Sequence, residues 1–202
     1  MSTALTSAPR RGRRLDAPFV ARPVSEVAPD LIGCTLLVDG VGGTIVETER
    51  YQQDDPASHS FRGPGGRAAI MFGPPGRVYV YCIYGLHWCA NLVCEPEGQG
   101  AAVLLRAIAP EHQLGAMRAR RGALPDRLLC AGPGRLTQAL GMDRDLNDTA
   151  ATGTGTRVAV HARRDDVEVV TGPRIGISVA TDLPWRFGLA GSPYLSKPFP
   201  RA

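Results

Sequence analysis

Two carboxylates and a tyrosine, spaced two residues apart in the sequence TIVETERY, are the first residues in the chain suited to chemistry. This segment, residues 44–51, is rich in β-branched side chains and is predicted to form a strand. Side chains alternate between the two faces of a strand. One face then holds Ile45, Glu47, Glu49 and Tyr51. A face that begins apolar and ends in acid and aromatic groups is typical of a pocket wall with reactive groups at its mouth.

Aromatic side chains dominate a second segment, residues 78–84, with the sequence VYVYCIY. Strand alternation places Tyr79 and Tyr81 on one face. The strand is expected to end at Tyr84-Gly85, because glycine tolerates the backbone angles of a turn. Tyr84 then stands at the tip of that turn, where it has no core to fill. Acid and flat rings together suit a flat heterocycle, since stacking on a base contributes about 1–3 kcal/mol per contact.

Two further polar residues lie where they can complete such a site. His59 belongs to a polar segment, residues 52–66, and Arg106 interrupts an otherwise apolar predicted strand, residues 101–108. A charge in such a strand must be paired or must face a polar cleft. Each residue type also has an ordinary explanation: a solvated strand face, a hydrophobic tyrosine cluster, a local histidine hydrogen bond or a structural ion pair. Their occurrence in one half of the chain favours a shared site.

The elements that must position these residues are predicted to form an antiparallel, β-rich α+β domain. Strands are predicted at residues 34–38, 44–51, 78–83, 101–108, 157–161, 167–171 and 174–178, and helices at residues 25–32, 110–121 and 132–140. A glycine-rich turn joins the first two strands as a hairpin. Residues 1–17 are expected to be a disordered basic arm that precedes one folded domain, residues 18–202.

Composition narrows the functional class. The formal charge is +4 and the pI is about 9.0, and 22 of the 23 basic residues are arginine. This balance permits a nucleic-acid partner and equally fits codon bias. The five cysteines form no CxxC pair and lie near no histidine cluster, so no metal site is expected. An odd cysteine count without a signal peptide or a long apolar run predicts a cytoplasmic protein that is neither secreted nor membrane-bound.

Eight segments, in order from residue 31 to residue 196, resemble one known family. They are LIGCTLLV, GTIVETERY, ASHSFRG, MFGPPGRVYVYCIYGLHWCANLV, AAVLLRAI, CAGPGRLTQAL, RIGISVATDLPWRFG and GSPYLS. The sequence resembles the alkyladenine (alkylpurine) type of 3-methyladenine DNA glycosylase. It departs from that pattern at Arg50, where alanine is usual, and in the glycine-rich loop at residues 64–67.

The resemblance implies one compact domain with a curved antiparallel β-sheet and flanking short helices. It also implies a monofunctional enzyme of base excision repair that flips alkylated or deaminated purines out of double-stranded DNA and hydrolyses the N-glycosidic bond. No cofactor, a monomeric state and a location at the nucleoid are implied as well. A non-catalytic module that binds damaged DNA is the alternative; such a module needs the tyrosines and arginines but not Glu49.

Residue roles follow from the same resemblance. Glu49 is expected to activate the attacking water, and Arg106 to support that water or a phosphate. Tyr84 is expected to wedge into the duplex. Base binding is assigned to Tyr51, His59, Tyr81 and Asn91, and secondary DNA contacts to Tyr79 and Ser192. Asn91 is expected to obstruct the 2-amino group of normal guanine.

Overall fold

The computed structural model describes residues 12–200 and is organised around one long antiparallel sheet. The strands are β1 (Thr35–Val38), β2 (Val41–Tyr51), β3 (Val78–Ile83), β4 (His87–Val93), β5 (Ala102–His112), β6 (Val158–His161), β7 (Val169–Gly172) and β8 (Arg186–Leu189). Their order is β3-β4-β5-β2-β1-β6, and β8 pairs with both β2 and β7. The sheet is curled. The expected α+β class, with one domain and a curved antiparallel sheet, is confirmed.

Short helices flank the sheet and close its apolar side. They are α1 (Ala17–Val20), α2 (Val24–Asp30), α3 (Leu114–Arg121), α4 (Asp126–Leu129) and α5 (Pro133–Leu140), with 3-10 helices at His59–Arg62, Gly66–Phe72 and Arg144–Leu146. Val27, Met117, Leu129 and Leu136 bring α2 to α5 into one core with the strands. Within residues 12–200, no helix is both long and apolar enough to cross a membrane.

Strand β2 connects most of the sheet. It pairs with β5 along one edge, and on the other edge first with β1 and then, at Glu47 to Glu49, with β8. The register against β5 shifts on both sides of Glu47, and Ile45 belongs to the main hydrophobic core. The predicted uninterrupted alternation from Ile45 is therefore wrong at this bulge, because a bulge adds a residue to one strand and re-aims its side chains.

Two predicted elements differ from the structure. The helix predicted from residue 110 begins only at Leu114, because Gly43 lets β5 approach β2 closely and β5 extends to His112. Residues 174–178 form bends rather than a strand, since the side chain of Arg174 is buried in an ion pair there. Strand β8, which begins with a buried arginine, was not predicted.

The predicted N-terminal arm lies largely outside the described residues, which begin at residue 12. The described part contacts the sheet: Arg14 forms a β-bridge with His161, and the amide of Leu15 donates to the Val160 carbonyl at 2.8 Å. Helix α1 begins at Ala17, so the expected boundary between residues 17 and 18 falls inside this helix.

The close approach of β5 to β2 predicts that Gly43→Ala destabilises the fold. A Cβ atom at Gly43 lies 1.8 Å from the carbonyl oxygen of Ala109, so backbone must move. We expect the free energy of unfolding to fall by about 2–3 kcal/mol in urea denaturation. The control is Gly115→Ala, where a Cβ atom meets nothing within 4 Å. Equal stability of the two variants contradicts the packing argument.

Candidate active site

The aromatic and acidic segments meet at one open cavity of about 740 Å³. Ligand sites for small molecules commonly have volumes of about 300–1,000 Å³, so a purine base fits this space. The residues with predicted roles that line it are Tyr51, His59, Tyr79, Tyr81, Tyr84, Asn91 and Arg106. The fold therefore brings together side chains from β2, β3, β4, β5 and the segment between β2 and β3.

His59 and two tyrosines form a connected aromatic wall. The ring centroids of His59 and Tyr81 are 4.6 Å apart with edge-to-face geometry, and those of Tyr79 and Tyr81 are 5.4 Å apart. The His59 Nδ1 and the Tyr79 hydroxyl lie 2.9 Å apart in a hydrogen bond. Burial and the nearby charge of Arg67 lower the pKa of His59. Both effects favour the neutral imidazole, and Tyr79 supports it from the buried side.

Glu49 lies behind this cavity, with no surface exposed to solvent. Its Oε1 accepts the Ile175 amide at 2.8 Å and faces Arg106 Nη1 at 3.2 Å. Its Oε2 accepts the Tyr51 hydroxyl at 2.9 Å. Since a carboxylate offers about four lone-pair positions, Oε2 can accept one more bond. Burial raises the pKa of Glu49, against the opposing effects of Arg106, the Ile175 amide and Tyr51.

Glu47 serves a different network from Glu49. Its Oε1 accepts Arg106 Nε at 2.9 Å and the Ser196 hydroxyl at 2.8 Å, and it lies 3.5 Å from Arg186 Nε. Its Oε2 accepts the Ser196 amide at 2.6 Å. Glu47 thus neutralises two buried arginines and fixes the C-terminal segment. These contacts give Glu47 a structural role. Two groups that donate to Glu49, the Tyr51 hydroxyl and the Ile175 amide, belong to residues that line the cavity.

Tyr84 and Asn91 occupy opposite ends of the β3–β4 hairpin. Tyr84 is 83% exposed at the tip, with a φ angle of 54° followed by Gly85 at 67°. Positive φ is uncommon for a bulky residue and occurs at both central residues of type I′ hairpin turns. Asn91 is buried, and its Nδ2 donates to the Tyr79 carbonyl at 3.0 Å. The hairpin therefore projects one ring outward and fixes one amide within the cavity.

Ser192, a predicted DNA contact, does not line the cavity. Ser196, from the same segment, instead reaches the buried network.

Three further residues of the site are not predicted from the sequence. Ile175 contributes through its backbone amide, which no side-chain pattern can reveal. Arg67 lines the cavity from the glycine-rich loop, and Arg186 joins the network through β8. Arg50 stacks on Trp185 at 4.1 Å, away from the cavity lining.

Known proteins match the chain over nearly its whole length. The family model of Methylpurine-DNA glycosylase (MPG) matches residues 18–193. The chain belongs to the methylpurine-DNA glycosylase family. This membership confirms the resemblance, and with it the prediction that the chain is a DNA glycosylase.

Three bacterial relatives are more than half identical to the chain. The relative from Bradyrhizobium diazoefficiens is 54% identical over 199 residues, which cover 98% of each chain. Those from Nitrobacter winogradskyi and Nitrosospira multiformis are 56% and 58% identical, covering 95% and 86% of this chain and 91% and 89% of their own. Each bears the assigned name 3-methyladenine DNA glycosylase. Among the described residues of this family member, no group of three or more His, Cys, Asp or Glu is arranged to hold a metal ion.

The contacts of Glu47 predict a large stability loss in Glu47→Ala. This change leaves the charges of Arg106 and Arg186 buried without their shared partner. Breaking a buried pair by removing one member costs about 3–5 kcal/mol. We expect a loss of that size in the free energy of unfolding, measured by urea denaturation. Glu111→Ala, at an exposed position bonded to the Thr44 hydroxyl, is the control; a loss no larger than in that variant refutes the prediction.

Proposed function

We propose that this glycosylase is monofunctional: it extrudes an alkylated or deaminated purine from duplex DNA and hydrolyses its N-glycosidic bond in base excision repair. The observation that carries the proposal is Glu49, a buried carboxylate held by Tyr51 and the Ile175 amide at the edge of an aromatic cavity. The assigned names of the relatives favour 3-methyladenine among the substrates.

Base recognition follows from the electron-rich rings and the neutral histidine of the cavity wall. An alkylated purine such as 3-methyladenine carries positive charge, which already weakens its glycosidic bond. Electron-rich rings attract such a cation, and Tyr51 and Tyr81 line the cavity beside a neutral His59. A protonated imidazole repels the cationic base, so the lowered pKa of His59 favours binding at neutral pH. Asn91 then discriminates against guanine by obstructing its 2-amino group.

During cleavage of the glycosidic bond, Glu49 and Arg106 have complementary roles. As the base leaves, positive charge develops on the sugar, and a nearby carboxylate stabilises this oxocarbenium-like state. Water then bonds to Glu49 Oε2, which accepts its proton while the water oxygen attacks C1′. General base catalysis of this kind contributes about 10²–10⁴-fold. Arg106 orients the carboxylate through its 3.2 Å contact with Oε1.

Water is the proposed nucleophile because the one side-chain amine within residues 12–200, that of Lys197, does not line the cavity. Lyase chemistry proceeds through a Schiff base between a neutral amine and C1′. Lys197 is the only lysine of the chain, and its side chain is exposed, while Arg186 holds its carbonyl at 2.9 Å. The expected product is an intact strand with an abasic site, formed without a cofactor by a monomer in the cytoplasm. The alternative, a binding module without catalysis, gives no reason for Glu49.

The direct test of this function is excision by Glu49→Gln on duplexes that carry 3-methyladenine, 7-methylguanine, hypoxanthine or ethenoadenine. Glutamine keeps the shape of the side chain but cannot take the proton, so we expect retained lesion binding and a single-turnover rate reduced at least about 100-fold. In the unchanged protein, strand breaks are expected only after alkali. If the variant rate is within tenfold of that of the unchanged protein, Glu49 is not the general base. If the unchanged protein excises none of these lesions, the binding module is favoured.

The exposed ring of Tyr84 predicts a duplex-specific loss in Tyr84→Ala. A side chain inserted in the stack offsets part of the cost of extrusion, which is a few kcal/mol in duplex DNA and absent from single strands. We expect single-turnover excision from duplex to fall about tenfold or more relative to excision from the same single strand. Leu86→Ala, at the neighbouring exposed position, is the comparison. Equal losses of excision rate on duplex and single-stranded substrates exclude insertion of Tyr84 into the duplex.

A further inference from the structure

One fully buried ion pair beside the cavity has no part in the proposed reaction. Arg174, between β7 and β8, and Asp55, between β2 and His59, both have side chains without solvent exposure. Arg174 Nη2 donates to Asp55 Oδ1 at 2.9 Å, and its Nη1 also contacts Oδ2. Neither residue lines the cavity. Because desolvating two charges is costly even when they pair well, stability alone is a weak reason for this arrangement.

The guanidinium of Arg174 packs against the ring that is assigned to base binding. Its central carbon lies 4.6 Å from the Tyr51 ring centroid and 5.0 Å from that of Trp185. Arg174 Nη1 also donates to the Arg50 carbonyl at 3.1 Å, which ties it to β2. The position of the Tyr51 ring is therefore fixed by a planar cation, whose own orientation the bidentate contact with Asp55 determines.

The residue after Arg174 contacts the carboxylate of the proposed base. The Ile175 amide donates to Glu49 Oε1, and the Tyr51 hydroxyl donates to Oε2. Both hydrogen bonds thus come from groups that Arg174 positions, one through the backbone and one through stacking. On the other side of the pair, Asp55 Oδ1 accepts the Ala57 amide at 3.0 Å, which holds the segment that leads to His59.

We propose that the Asp55–Arg174 pair is the positioning element of the site, which fixes Glu49 and Tyr51 in the geometry needed for base excision. The inference rests on the proposed function, since it assigns Glu49 the role of general base. Arg174 does not line the cavity; it acts through Ile175 and Tyr51. A displacement of about 1 Å at a reacting group costs on the order of 100-fold in rate, so small shifts of these two groups are sufficient.

The positioning role has a signature in the pH dependence of excision. An N–H or O–H bond to a carboxylate favours its charged form, so weakening these bonds raises the pKa of Glu49 further. A base works only when ionised, and the acidic limb of the rate profile therefore moves to higher pH. The titratable or charged groups around Glu49 are Glu47, Tyr51, Tyr81, Cys89, Arg106, Arg174 and Arg186.

The test is single-turnover excision by Arg174→Lys across a pH series. Lysine keeps the charge but loses the bidentate geometry and the planar stacking on Tyr51. We expect a rate about tenfold to 100-fold lower at the plateau, and an acidic limb shifted up by about 0.5–1 pH unit. The matched control is Arg163→Lys, a half-buried arginine that contacts Asp30 and the Ile32 carbonyl. Thermal unfolding of each variant confirms that it is folded under assay conditions.

A second variant keeps the proposal falsifiable if Arg174→Lys does not fold. Asp55→Asn preserves size and the acceptor for Ala57, and it is expected to shift the acidic limb in the same direction. If the two residues act as a unit, the double variant loses no more than either single variant. An unshifted limb with a rate within twofold of Arg163→Lys, or failure of both variants to fold, overturns the positioning role. Absence of excision by the unchanged protein instead overturns the proposed function.

Discussion

The structure depends on the burial of two carboxylates in β2, one of its two longest strands. Glu47 and Glu49 have no exposed surface, and each contacts Arg106 across the β2–β5 pairing. An isolated ionised carboxylate is not stable in such surroundings. Arginines from β5 and β8 and amides from two non-strand segments therefore have to converge on β2. The site results from the need to pair the two buried carboxylates of β2.

Glu47 and Glu49 have different hydrogen-bond partners, and this difference favours a structural role for Glu47 and a chemical role for Glu49. Glu47 has four close contacts with Arg106, Arg186 and Ser196, three of them at its Oε1. Glu49 accepts bonds from Tyr51 and Ile175, both of which line the cavity. Two residues of the same type, two positions apart, thus lie in environments that favour different roles. The register shifts on both sides of Glu47 accompany this difference.

Sequence patterns predicted those parts of the site that are side chains on regular strands. The spacing of Glu49 and Tyr51, and the pair Tyr79 and Tyr81, place these residues correctly because alternation is local. The sequence alone did not predict the bulge at Glu47, the amide of Ile175 or strand β8, because each depends on pairing between distant segments. The error at residues 174–178 has the same origin: a strand is predicted there, whereas Arg174 is buried in an ion pair with Asp55, 119 residues away.

The choice of arginine for every buried cation near the site bears on the nucleophile. Arg106, Arg174 and Arg186 are each at most 5% exposed, and each contacts an aromatic ring or a carboxylate in fixed geometry. A buried lysine readily loses its proton and then presents a nucleophilic amine, whereas a guanidinium remains charged. Arginine therefore supplies the positive charge that two buried carboxylates require without supplying an amine that can attack the sugar. Under the proposed mechanism, the composition that stabilises the sheet also keeps the reaction hydrolytic.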